Sequence, residues 1–116
     1  MTSGYGYLTW VNQATDNTVS QNYGNIAQEC FITLTLPSVS AIGVECRFIG
    51  FGPQSDCWYR IQAPSGLKIY FGDSETVAGG YIQSTAAFSR DAAALISVDT
   101  SGNWIVTSAV GTWIVN

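Results

Sequence analysis

The chain has 116 residues and a net charge of −4, with charged side chains at 10% of positions against roughly 25% in an ordinary globular protein. That length suits one domain with one core, and so low a charge suits a surface partly covered by partners. The four cations, Arg47, Arg60, Lys68 and Arg90, are scattered, which argues against a nucleic-acid partner; no run reaches the ~20 apolar residues of a membrane span.

The opening MTSGYGYLTW lacks the basic start and apolar run of a secretory leader, so maturation in a reducing cytoplasm is expected. Tyr5 to Val11 is aromatic-rich and alternates weakly, consistent with a first strand. Asn12 to Gln28 is polar and carries turn signals at Asp16-Asn17, Asn22 and Gly24-Asn25, so it reads as a loop. From Cys30 to Leu36 the alternation is clean, with Cys30, Ile32, Leu34 and Leu36 on one face. Pro37 stops that strand. Val44, Cys46 and Phe48 alternate with Glu45, Arg47 and Ile49 in a second strand that ends at Gly50-Phe51-Gly52-Pro53.

Short strands follow at Trp58 to Gln62, Leu67 to Phe71 and Tyr81 to Ser84, with a polar loop from Asp73 to Gly79. Ala86 to Arg90 has no clear pattern, and Ala92 to Ala94 could hold a helical turn; a strand is expected from about Ala93 to Val98. Asp99 to Asn103 is a hairpin loop with Gly102 placed for a positive φ. Trp104 to Val110 and Thr112 to Val115 close the chain around Gly111. No segment sustains helical periodicity. The expected fold is all-β, a single antiparallel β-sandwich or jelly-roll-like module of about eight short strands.

Chemistry is harder to find. There is no histidine to serve a Ser or Cys nucleophile as base, and Lys68 stands alone in a strand pattern. Asp73 with Glu75, or Asp91 with Asp99, could form the carboxylate pair of a glycosidase, yet each lies where acids cap turns. Asp73-Ser74-Glu75 and the 99–103 loop supply oxygens without completing a calcium loop, and no phosphate-binding glycine motif occurs. Cys30, Cys46 and Cys57 lie in or beside apolar runs and form no CxxC pair, so they read as buried free thiols with no zinc site. Of Trp10, Trp58, Trp104 and Trp113, most are expected in the core or between subunits, with a ligand platform as the other use. The expectation is a non-enzyme without cofactor or metal.

An ordered set of segments carries a resemblance. VNQATDNTVSQNYGNIAQECFITLTLP, GVECRFIGFG, CWYRIQAPSGLKIYFG, GGYIQST and ALISVDTSGNWIVTSAVGTWIV together resemble a small β module of bacteriophage virion structural proteins, over about Val11 to Asn116. The chain departs from the pattern at Pro53 and Asp56-Cys57, where glycines are common, and in starting at Met1 without a shaft. The resemblance implies a stable homotrimeric knob and no catalytic residues. A short module without a shaft suits a capsid decoration (cement) protein, made in the host cytoplasm and bound to the major capsid protein on the virion surface. The alternative is a tail-fibre or tail-tip receptor-binding knob recognising a host glycan or protein.

Tyr5, Tyr7 and Trp10, in an N-terminal attachment segment spanning 1–11, are the expected capsid contacts. Asp73, Glu75, Asp99 and Asn103 mark candidate receptor loops, and Trp113 and Val115 candidate oligomer contacts.

Overall fold

Alternation of apolar and polar side chains decides which residues turn inward, and the computed structural model, which describes residues 8–52, 57–85 and 90–116, arranges them in two sheets. In chain order the strands are β1 (Thr9–Gln13), β2 (Asn17–Thr18), β3 (Tyr23–Ala27), β4 (Ile32–Thr35), β5 (Glu45–Gly50) and β6 (Tyr59–Gln62). They continue as β7 (Ile69–Phe71), β8 (Ser74–Glu75), β9 (Tyr81–Ser84), β10 (Ala92–Ser97), β11 (Trp104–Val110) and β12 (Trp113–Val115). The larger sheet runs β1-β3-β5-β10-β11-β7-β8 and the smaller runs β12-β9-β6-β4-β2. Among the described residues there is no helix, so the fold is all-β; Ala92 to Ala94, a possible helical turn in the sequence, is strand.

The two sheets share one core. Cys46, Phe48, Leu95 and Trp104 point inward from the large sheet and meet Leu34, Tyr59, Ile61 and Ile82 from the small one. The arrangement is sandwich-like, but the strand pairing corrects the antiparallel expectation. β1–β3, β3–β5 and β7–β11 pair in parallel in one sheet, as do β2–β4 and β4–β6 in the other. The cause is the path of the chain. Its first six strands alternate between sheets, so β1 to β4 each lie beside the strand two further along. A strand of the opposite sheet thereby serves as the crossover that parallel neighbours require.

Two further expectations are corrected. The polar stretch from Asn12 to Gln28, read as a loop, contains β2 and β3, and β3 lies inside the large sheet. Its Gly-Asn pair reads as a turn because neither residue favours a strand. Here Asn25 is fully buried: its side-chain oxygen accepts from Gln13 Nε2 at 3.0 Å, and its Nδ2 donates to the Arg47 carbonyl at 3.2 Å. Second, the three cysteines are not all free. Cys30 and Cys57 form a disulfide, and Cys46 alone remains a buried thiol. The bond joins the turn before β4 to the entry of β6, parallel neighbours whose side-by-side placement is not visible in their spacing.

Burial also sets two acidities. Burial pushes the Cys46 thiol up to about 12, and the Tyr59 phenol is likewise raised, chiefly by its burial and then by Asp91. Both groups stay neutral in the folded chain at pH values where an unfolded chain releases their protons. The unfolded state then binds fewer protons, so stability is intact below pH ~9 and falls as pH rises beyond it. Denaturant melts between pH 8 and 11.5 are expected to lose stability with a limiting slope of about 2–3 kcal/mol per pH unit. A flat profile would show the two groups ionising in the native state.

The disulfide closes a separation of 27 residues. Chain-entropy arguments put its contribution at about 3–4 kcal/mol. The double substitution Cys30→Ser, Cys57→Ser should therefore lower Tm by roughly 10–15 °C, measured by calorimetry against the unreduced parent.

Candidate functional site

The outward positions of the large sheet line up across its strands. Their register places Trp10, Gly24, Arg47, Ala94 and Ser108 in one row, and Asn12, Ile26, Ile49, Ala92 and Val110 in the next. The Trp10 ring lies over Gly24 so closely that a Cβ there would overlap ring carbons, and only glycine fits beneath it. Small alanines at the centre, flanked by Trp10 and Val110, leave an open groove of about 230 Å³. Its walls are exposed: Trp10 by 45% and Val110 by 63%. Apart from Arg47 and Ser108 the side chains lining the groove are apolar.

Among the expected capsid contacts, Tyr5 and Tyr7 lie outside the described residues, as do Pro53 and Asp56 and most of the 86–90 segment. Trp10 belongs to β1, an edge strand held in parallel to β3, so the sheet fixes its position. The expected oligomer contacts, Trp113 and Val115, are half-buried on the edge strand β12. Trp113 and Val115 pack partly against the chain's own core, and the Trp113 ring meets Tyr59 edge to face at 5.5 Å. The Trp113 indole donates to the Val110 carbonyl at 3.1 Å. Between them Ile114 points outward, 47% exposed.

The candidate receptor loops spend most of their polar groups internally. Asp99 Oδ1 accepts from the backbone N–H groups of Ser101, Gly102 and Asn103 at 3.0–3.1 Å, and Oδ2 accepts from Asn103 Nδ2 at 2.8 Å. Asn103 Oδ1 in turn accepts from the Lys68 backbone N–H at 2.9 Å. Glu75 is bonded to the Lys68 ammonium, whose pKa that contact raises. Asp73 is exposed in the turn between β7 and β8. The carboxylate pairs have little to offer a glycosidase. Asp91 and Asp99 flank β10 at opposite ends, roughly 25 Å apart along an extended strand. Asp91 is buried, and a Cβ on Gly111 would collide with its carboxylate. Among the described residues no three His, Cys, Asp or Glu side chains gather to hold a metal.

A second face was not singled out from the sequence. On the outside of the small sheet, the Arg60 guanidinium packs on Trp58 at 4.5 Å and on Tyr81 at 4.1 Å from the ring centroids. Phe31, 55% exposed, meets Trp58 edge to face at 5.3 Å. Arg60 Nε donates to Gln83 Oε1 at 2.7 Å, and Asn116 Nδ2 donates to the Tyr81 hydroxyl at 2.7 Å. The i, i+2 spacing of Trp58 and Arg60 was a signal for one face; the pairing of β6 with β9 that adds Tyr81 and Gln83 was not legible.

Compared with models of known protein families and with curated proteins, the chain matches none.

The Asp99 loop makes a prediction. Its hydrogen bonds, those from Asn103 foremost, hold the Asp99 carboxyl below its ordinary value of 3.8. That stabilisation is present above pH ~3.8 and is lost as pH falls through the depressed folded value. Asp99→Ala should lower Tm at pH 7, and the loss should shrink as pH falls through the depressed folded value. An equal loss across that range would mean that the carboxylate charge is not what orders the loop.

Proposed function

We propose that the chain is a non-enzymatic structural protein of a bacteriophage particle, a decoration (cement) protein bound to the outer capsid shell as an oligomer. The observation that carries this reading is the exposed apolar groove beside Trp10 on the large sheet. It supports a protein partner, because aromatic anchors in apolar surroundings dominate the energetics of such interfaces. A ligand that binds only the assembled shell stabilises it by mass action, and linked copies add avidity.

Oligomerisation is supported by the sheet edges. β11 pairs with β7 only at Trp104 and Ile105, so among the described residues no strand flanks Val106–Val110 on that side. β12 is also an edge, with Ile114 exposed beside it. Unpaired edges invite pairing and need cover, which copies around a three-fold axis would supply. Sedimentation of the purified chain should give a trimer, and a monomer at working concentration would remove this part of the reading.

The docking reading is tested on the particle. Cryo-microscopy should find the protein on the capsid surface with the large sheet facing the shell. Trp10→Ala should weaken its binding to undecorated shells by about 30-fold or more, the size of an aromatic hot-spot loss, with Tm nearly unchanged. Absence from the capsid, or wild-type shell binding by the variant, would overturn it. A second reading, a tail-fibre or tail-tip knob that recognises a host glycan or protein, is favoured by the aromatic and arginine-bearing face of the small sheet.

A further inference from the structure

The small sheet's outer face carries polar and aromatic side chains in register. Register brings Thr33, Arg60, Gln83 and Ile114 into one row across four strands, and Thr35, Gln62 and Tyr81 into the next. Amide and hydroxyl groups therefore recur at the strand spacing of ~4.8 Å, beside the Phe31 and Trp58 rings. Arg60 is the centre of this face. Its Cζ lies over the Trp58 and Tyr81 rings and Gln83 takes its Nε–H, contacts that restrain the side chain. Among the described residues its two terminal nitrogens have no acceptor, and these rows contain no Asp or Glu.

A guanidinium held flat with its outer edge unpaired is a fork for one planar oxyanion. The Tyr81 hydroxyl accepts from Asn116 and keeps its own proton to donate, and Gln83 keeps its amide N–H groups. We infer that this face binds an acidic polysaccharide, with a sugar carboxylate on Arg60 and sugar hydroxyls on Tyr81, Gln83 and the neighbouring amides. Charge complementarity selects the carboxylate. The spaced hydroxyl and amide groups fit a saccharide, whose own hydroxyls would pair with them, better than an acidic side chain that pairs with Arg60 alone. The inference deepens the second functional reading, independently of docking through the large sheet.

The test is titration of the full, disulfide-intact protein with polygalacturonate, read by calorimetry at about 50 and about 300 mM NaCl. Binding should occur, weaken with salt, and fall at least about tenfold when the polymer's carboxylates are reduced to alcohols. Arg60→Gln should lose binding about tenfold or more, and Gln83→Glu should do the same by giving Arg60 an internal carboxylate. Lys68→Gln, which removes the same charge elsewhere, should bind as the parent. Melting curves confirm that each variant is folded; Gln83→Glu keeps Arg60 in place should Arg60→Gln prove unstable. Equal binding of the carboxyl-reduced polymer, equal binding of poly-glutamate, or no binding at millimolar sugar would each overturn the proposal. Shell binding by the same variants should be unchanged, so failure here and failure of the docking reading are separable.

Discussion

The two sheets depend on one phenol. Tyr59 rises from the small sheet, fully buried, and its hydroxyl donates to the Asp91 carbonyl at 2.9 Å, just before the first residue of β10 in the large sheet. The same carbonyl accepts from the Gly50 N–H at 2.8 Å, so the end of β5, the start of β10 and the middle of the sandwich meet at one atom. The Tyr59 ring also forms the wall on which Trp113 rests, and Gly111 lets the chain turn directly over the Asp91 carboxylate. At φ 91° and with that carboxylate where a Cβ would stand, Gly111 could be no other residue without strain. The last strand thus finds partial burial inside its own chain because Tyr59, two strands away in the same sheet, gives Trp113 a wall to rest on.

Around that tie the buried polar side chains act as substitute ladder partners. Ser97 Oγ donates to the Ala41 carbonyl and accepts from the Val44 N–H; Ser84 Oγ accepts from the Tyr59 N–H. Thr76 Oγ1 accepts from the Ile69 N–H and donates to the Val77 carbonyl. Each lets a short strand end inside the protein without an orphaned backbone group, which would cost about 1–3 kcal/mol. This is how strands of three to seven residues can make a core. The Trp104 indole N–H is the exception, buried without an acceptor among the described residues.

What the sequence made legible follows from the same physics. Ile32, Leu34 and Leu36, or Cys46 and Phe48, alternate because one face is dry, so these strands and the all-β class could be read directly. β4 begins at Ile32 and not at Cys30 because Phe31 takes a positive φ of 63°, a turn that alternation does not register. β3 was hidden because its outward face carries a glycine under Trp10 and its inward face an asparagine whose amide is satisfied by Gln13 and Arg47. The disulfide and the Arg60 ladder were hidden for a shared reason. Both depend on β4 lying parallel beside β6, and a period-two pattern says which side is dry but never which strand is the neighbour.

The low charge of the chain sharpens the contrast between its two outer faces. Arg47, which lines the large-sheet groove, is paired with Glu45 at 2.7 Å, and Lys68 is paired with Glu75. Arg90 lies over the exposed Phe51 ring at 5.4 Å. Arg60 differs from all three in being clamped between strands of a sheet, fixed by two rings and an amide, in a chain whose net charge is −4. An arginine held this way forgoes the flexibility that makes surface ion pairs weak, and so can offer its free edge at little further entropic cost. The large sheet offers the opposite, small side chains beside an exposed indole. One fold thereby carries a groove of small side chains on one outer face and a restrained arginine among polar groups on the other.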